Sequence, residues 1–434
     1  MATDLRETRA LGAGAPETSL QLDALDDAAI RGLSERLGEP EWLQALRRSW
    51  WKRLDDTPPP TGQEEEWRRT SLDAFPSSSL LAEHVPTIRC ALDPELADAG
   101  VVFADLREAI RDHPDLVRRH LGSTDTLPAH AHYWALAQAA WTAGTFLYVP
   151  RGVTVDRPLV TRLRQPLGAT AFLPQSLVIV EEGASVTLLE EISSQDGEPA
   201  WFGGIVDLRA ERGAHIRYAS LQQLGDATWY IGAQRVDVGQ DANVTTLNAE
   251  IGSAVTKLGL DLRMTGAGGV SRLLGILAAG GRQHIDLNSK QDLIGSHTTS
   301  DLLYLSALYD EARAAFYGVT KVRPEAKGTS SYQECRNLLL SPTAGAEPIP
   351  VLEIETNDIL RCGHGATAGA IDPVQRFYAQ SRGLSADEAE RLIVRGFFEQ
   401  VVSKIESEPV RARILEALAA RIGSDPDAAE EAVA

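Results

Sequence analysis

The sequence predicts a mainly β protein, a β-solenoid core flanked by N-terminal and C-terminal α-helical domains. Three observations carry this. From about Leu136 to Thr367, short β-branched runs alternate with polar residues, as in FLYVPRGVTV and SLVIVEEGASVTLLEEIS. That period-two texture marks half-buried strands. The turn markers Gly183-Ala184, Gly213-Ala214, Asp241-Ala242 and Gly266-Ala267 recur at near-regular spacing, which suits stacked coils better than a jelly roll or β-sandwich. Both flanks carry helical periodicity instead.

Taken in order, residues 1–24 are small and polar and read as a flexible arm. The stretch 25–135 reads as the N-terminal helical domain. Apolar residues recur at helical spacing from Leu25 to about Leu37. A second helix opens at Pro40 and carries Trp42, Leu43, Leu46, Trp50 and Leu54, with Arg47, Arg48, Lys52 and Arg53 toward the end that the helix dipole reserves for cations. Pro58-Pro59-Pro60 stops it. Glu64-Glu65-Glu66-Trp67-Arg68-Arg69-Thr70 reads as a charged surface segment with one aromatic anchor. A further helix is expected over Ala104 to Leu121.

The solenoid is expected over 136–367 and a C-terminal helical domain over 368–434. Ser385 and Glu388 have capping-box spacing before Leu392, Ile393, Phe397, Phe398, Val401, Val402 and Ile405. A second helix runs from about Pro409 to Ile422, and the acidic, Ala-rich end reads as disordered. The stripe Ile393, Phe397, Phe398 and Val401 has two readings: packing onto the β core, or a docking surface for another protein.

A hydrophobic fraction of 43% is that of a soluble globular chain, and no run approaches the roughly 18 apolar residues of a membrane span. The N-terminus lacks the pattern of a secretory signal. Three scattered cysteines, Cys90, Cys335 and Cys362, cannot build a disulfide framework and fit a reducing, cytoplasmic setting. A net charge of −19 without a basic stripe argues against nucleic acid as a partner.

Nucleotide-binding signatures are missing from the sequence: there is no G-x-x-x-x-G-K-[ST] and no G-x-G-x-x-G between strand and helix. Ser176 and Ser193 lack a nucleophile-elbow context, and no His-Glu-x-x-His occurs. Thr265-Gly266-Ala267-Gly268-Gly269 reads as a solenoid turn. Glu353 and Glu355 share a strand face and read as solvated carboxylates around buried Leu352 and Ile354, the alternative being an acid–base pair. His284 and His297 lie thirteen residues apart in strand-like segments and could meet across coils around a metal. His130 and His132 read as structural residues at the entry to the β region. Cys335, beside Arg336, reads as buried, the alternative being a modestly lowered pKa.

Cys362-Gly363-His364 offers a thiolate and an imidazole on one strand face, a donor pair suited to iron, zinc or an iron–sulfur cluster. By itself it could equally be a buried thiol beside a hydrogen-bonded histidine.

The ordered set Tyr317-Gly318, Arg336-Asn337-Leu338-Leu339-Leu340, Leu352-Glu353-Ile354, Cys362-Gly363-His364-Gly365-Ala366-Thr367, Phe377-Tyr378 and Ser381-Arg382-Gly383 resembles the C-terminal half of the SufB/SufD family of iron–sulfur cluster assembly scaffolds. Glu66-Trp67-Arg68-Arg69-Thr70, Val149-Pro150-Arg151-Gly152-Val153 and Glu182-Gly183-Ala184 resemble earlier landmarks more loosely. The resemblance implies a right-handed parallel β-helix that pairs with a SufB-like subunit, and C-terminal helices that bind a SufC-like ATPase. It implies His364 as a ligand and Cys362 as a supporting thiol for a nascent cluster shared with the partner; a flavin in the assembled complex is left open. Ala344 stands where SufB-type members carry a sulfur-accepting cysteine, and C-x-H-G-A-T is the SufD form of the motif. Leu287-Asn288 stands where many SufD-type members have His-His. A SufB-type homodimeric scaffold and a β-helix polysaccharide-active enzyme are the alternatives.

Overall fold

A computed structural model of the chain describes residues 26–75, 86–122, 128–166, 171–197 and 199–423. The expected arm and the acidic end lie outside the described residues. The N-terminal part comprises α1 (Asp27–Arg36), α2 (Glu41–Asp56), α3 (Pro94–Asp98), β1 (Val102–Asp105), α4 (Leu106–Asp112), α5 (Pro114–His120) and α6 (Ala131–Ala140). Pro40 caps α2 from outside with extended backbone. Arg47, one of the basic residues toward the end of the helix, is fully buried. Its guanidinium forks onto both Glu39 carboxylate oxygens, donates to the Ala139 carbonyl and lies 4.3 Å from the Trp141 ring centroid.

The single helix expected over Ala104 to Leu121 is instead a strand and two short helices. The Asp105 carboxylate accepts from Arg107 N and starts α4, while His113 leaves helical geometry at φ −134° and ψ 50° and Pro114 opens α5 afresh. The β region likewise begins later than Leu136, because α6 continues to Ala140.

The strands are β2 (Thr145–Val149), β3 (Leu159–Arg164), β4 (Ala171–Phe172), β5 (Gln175–Val180), β6 (Ser185–Ser193), β7 (Ala200–Phe202), β8 (Ile205–Ala210), β9 (His215–Gln223) and β10 (Thr228–Val238). The later coils hold β11 (Asn243–Glu250), β12 (Val255–Met264), β13 (Val270–Ala279), β14 (His284–Leu293), β15 (Thr299–Leu308) and β16 (Arg313–Val322). Last come β17 (Thr329–Leu339), β18 (Gly345–Ile354) and β19 (Ile359–Ala370). They form two sheets. One runs β1-β2-β5-β8-β10-β12-β14-β16-β18 with β4 and β7 attached; the other runs β3-β6-β9-β11-β13-β15-β17-β19. Among the described residues only β1–β2 is antiparallel; the coil-to-coil pairs are parallel. The architecture is a parallel β-solenoid.

Its corners explain the turn markers. Gly152, Gly183, Gly213, Asp241, Gly268, His297 and Gly328 all have left-handed backbone, one per coil. Each donates its N–H to the next coil: Gly183 to Arg212 O, Gly213 to Gln240 O, Asp241 to Ala267 O, Gly268 to Ser296 O, His297 to Lys327 O. Asp and His tolerate this conformation better than most side-chain-bearing residues, and glycine best. The fourth marker shifts, since Gly268 rather than Gly266 occupies the left-handed position.

Val, Leu and Ile from both sheets meet in the interior, among them Val178, Val186, Leu208, Ile216, Leu262 and Leu273. The outer faces are covered as well. On the first sheet α6 packs with Trp67, Trp201 and Trp229. On the second, α8 (Ala386–Val402) and α9 (Glu408–Gly423) pack against Leu221, Leu247, Leu274, Ile276 and Leu305, with α7 (Pro373–Ser381) leading into them. Burial on two faces is why β5, β10 and β13 are buried at nearly every position, where the alternation predicts half-buried strands. The capping box at α8 forms as expected, Ser385 Oγ accepting from Glu388 N and Glu388 from Ser385 N. Among the described residues no helix is long and apolar enough to cross a membrane.

Candidate functional site

Both sheets stop at strands that pair on one side only, β18 and β19. The last coil is consequently open, and β19 is mostly exposed. In register, Cys362 pairs with Ser331, His364 with Gln333 and Ala366 with Cys335. Ser331, Gln333 and Cys335 are buried in the interior. Side chains at alternate positions share a face, so Cys362, His364 and Ala366 form the inward row of β19. Among the described residues no further coil lies over them. His364 is exposed, while Cys362 is half-buried against the core, and that burial raises its thiol pKa.

The glycines of the tract serve the opposite face. The Tyr332 ring lies along the backbone of Gly363 and Gly365; a Cβ on Gly365 would stand 3.0 Å from the Tyr332 hydroxyl. The Arg361 guanidinium sits over the same ring, 4.2 Å from its centroid. A register shift between Thr329 and Ser330 leaves Leu360 as the extra residue, 78% exposed. The tract thus alternates between a packed outer row and an inward donor row.

Cys335 lies deeper in the same interior. Burial pushes its thiol up to about 12, and Arg336 points away to Glu334 and Gln400. His284 and His297 do not meet. One starts β14; the other is a corner residue past its far end, roughly 30 Å along the strand. His284 Nε2 is 3.0 Å from Thr70 Oγ1, and the His297 ring lies where a Cβ on Gly328 would fall. His130 is buried, with Nε2 3.0 Å from Asn288 Oδ1, and His132 Nδ1 is 2.8 Å from Thr57 O. Glu353 and Glu355 both pair with Lys321 at 3.0 Å. Their neighbours Leu352 and Ile354 are not buried as expected, because no coil covers β18.

The apolar stripe of α8 is used internally. Phe398 and Val401 are buried against the second sheet and α9, so they offer no docking surface on the free chain; Ile393 and Phe397 are half-buried. The exposed apolar residues of this region are instead Val374, Phe377, Tyr378 and Leu392.

Sequence reasoning missed a second constellation. The segment Glu66–Thr70 is clamped on the first sheet. Lys257 Nζ is 2.7 Å from Asp286 Oδ2, donates to the Glu66 carbonyl and lies 4.9 Å from the Trp67 ring centroid. Thr70 Oγ1 donates to Asp286 Oδ2 at 2.6 Å, and Trp67 Nε1 to Ala129 O at 2.7 Å. Burial lowers the Lys257 pKa, and Asp286 opposes the shift. The available signal was the separation of Lys257 and Asp286, 29 residues or one coil. Among the described residues no group of three or more His, Cys, Asp or Glu could hold a metal ion.

Residues 163–397 match the family described as SUF system FeS cluster assembly, SufBD core domain, and residues 89–160 the SufBD protein N-terminal region. The iron-sulfur cluster assembly protein SufD of Bacillus subtilis is 26% identical over 430 residues, covering 92% of this chain and 98% of the relative. An iron-sulfur cluster assembly SufBD family protein of Synechocystis sp. is 28% identical over 329 residues, 72% of this chain and 67% of the relative. One from Staphylococcus saprophyticus is 28% identical over 318 residues, 73% and 68%. The matches name cluster assembly, not polysaccharide chemistry. With its core-domain match spanning over half the sequence, on a parallel solenoid between helical flanks, the chain belongs to the SufBD family of iron–sulfur cluster assembly proteins.

Proposed function

We propose that this chain is a SufD-like scaffold subunit, not itself an enzyme, that holds a nascent iron–sulfur cluster jointly with a SufB-like subunit. One observation carries the reading: Cys362 and His364 occupy the inward row of an open terminal strand, and alone they are half of a four-ligand set. The cluster is cargo, and the partner supplies the remaining ligands. The unpaired edges of β18 and β19 are the natural meeting place, since an open sheet edge exposes N–H and C=O groups that another strand can pair.

ATP energy enters through a SufC-like ATPase, because the sequence carries no Walker motif. Its contact is assigned to Val374, Phe377, Tyr378 and Leu392, the apolar side chains that α7 and α8 leave exposed. A SufB-type homodimer is the weaker reading, because Ala344 holds the sulfur-accepting position.

Anaerobic reconstitution with both partner subunits, read as bound iron and visible absorption, tests the ligand assignment. His364→Ala is expected to preserve the complex and lower cluster content, and Cys362→Ser to lower it less. Unchanged iron and spectrum in the His364→Ala complex would refute the assignment.

A further inference from the structure

We infer a second binding site, for a small multivalent oxyanion, in the paired grooves on the outer face of the first sheet around Arg313. The inference is independent of the cluster-ligand reading, which concerns the inward face of β19.

The first groove, of about 460 Å³, runs between the clamped Glu66–Thr70 segment and strands β14, β16 and β18. Arg68, Arg69, His284, Arg313 and the Glu347 carboxylate wall it, and its floor is alanine and Gly345 backbone. The second groove, of about 590 Å³, adjoins it and is lined by Arg282, Arg313 and Glu311. Arg313 belongs to both. Four arginines from three separate segments therefore converge on a chain whose net charge is −19.

Their pairing is uneven. Arg68 and Arg69 share Glu65, and Arg69 also reaches Glu347 at 3.1 Å. The side chains of Arg282 and Arg313 make no hydrogen bond or ion pair among the described residues. Yet Arg313 is seated: its guanidinium lies across Gly345, the residue opposite it on β18, and a Cβ there would fall 2.0 Å from Arg313 Nη1. Gly345 leaves the space that this guanidinium occupies between the two grooves.

The chemistry selects the ligand class. Guanidinium forks match the paired oxygens of phosphate and carboxylate. Among the described residues no Phe, Tyr or Trp lines either groove, and the His284 imidazole is already engaged with Thr70, so nothing is arranged to stack a base or a flavin. Each groove lies within the ~300–1,000 Å³ range of small-molecule sites. A ligand touching Arg69 and Arg282 through Arg313 needs more than one anionic group.

Calorimetric titration of the full chain with inorganic pyrophosphate, and separately with citrate, at about 0.15 M salt tests this, because loose surface attraction is screened there. Saturable binding of either probe is expected, and the stronger one identifies phosphate or carboxylate as the recognised group. Arg313→Gln should weaken binding about tenfold or more, with the thermal midpoint unchanged. Arg151→Gln, an exposed arginine at a distant corner, should leave affinity unchanged. Absence of saturable binding by both probes, or equal weakening in Arg151→Gln, would overturn the site.

Discussion

Lys257 and Asp286 face each other across β12 and β14, Nζ to Oδ2 at 2.7 Å, with neither side chain reaching solvent. Their contact holds the Trp67–Thr70 segment, and with it the helical cap, onto the solenoid. A buried pair adds little over a well-packed apolar pair, but removing one partner strands a charge. Asp286→Ala is therefore expected to cost about 3–5 kcal/mol in urea unfolding, whereas Lys257→Met with Asp286→Leu restores most of the loss. If the double variant is as unstable as Asp286→Ala, the pair acts otherwise than as a lock.

Thiol reactivity should rank the three cysteines. Burial, and then nearby Asp105, Glu190 and Glu108, push the Cys90 thiol up to about 12, and burial alone takes Cys335 to about the same value. Cys362 is raised by burial only and is half-buried on the open coil. The thiolate is the reactive form. Alkylation of the native chain at pH 8, followed by peptide mass spectrometry, should label Cys362 first and the other two only after denaturation. Early labelling of Cys335 would show that the last coil opens in solution.

Much of this architecture was legible. Alternation and corner spacing pointed to stacked coils because a solenoid repeats its physical demands in every turn. The capping box at Ser385 was equally readable, since it depends on two residues three apart. What escaped was set by register. Whether Lys257 is solvated or buried depends on Asp286 one coil later and Trp67 far upstream. The stripe holding Phe398 and Val401 was visible, but its occupant was not, because intramolecular packing and partner docking ask for the same apolar pattern. At Cys362-Gly363-His364 the shared face was readable; the absence of a covering coil, which makes His364 accessible, was not.

Glu250 should give the protein a pH-dependent stability. It is fully buried on β11, and both carboxylate oxygens lack a hydrogen-bond donor among the described residues, Gln222 donating instead to Gly252 O and Thr256 Oγ1. Burial raises its pKa to about 8, which the adjacent Gln222 amide only partly offsets. The folded state thus binds this proton more tightly than the unfolded state, so stability contributed by the neutral acid is present below the ordinary carboxyl pKa. It falls as pH rises toward 8 and levels off above. Urea midpoints from pH 5 to 9 should decline more steeply in wild type than in Glu250→Gln, with the variant more stable at the alkaline end. Parallel profiles would mean that Glu250 is not the group responsible.

Phe398 and Phe377 separate packing from docking. Phe398 is 2% exposed beneath α8, and its truncation to alanine should cost about 3–5 kcal/mol, as for other buried aromatics. Phe377 is 71% exposed on α7, so Phe377→Ala should leave stability within about 0.5 kcal/mol of wild type. If α7 is the face the ATPase uses, Phe377→Ala, or more strongly Phe377→Asp, should lose co-purification with a SufC-like ATPase while the thermal midpoint stays put. Aromatic anchors of this kind carry a disproportionate share of interface energy, and a charge in their place adds desolvation cost. Retained co-purification of a folded Phe377→Asp chain would move the contact away from α7. Unchanged stability in Phe398→Ala would return the α8 stripe to the surface.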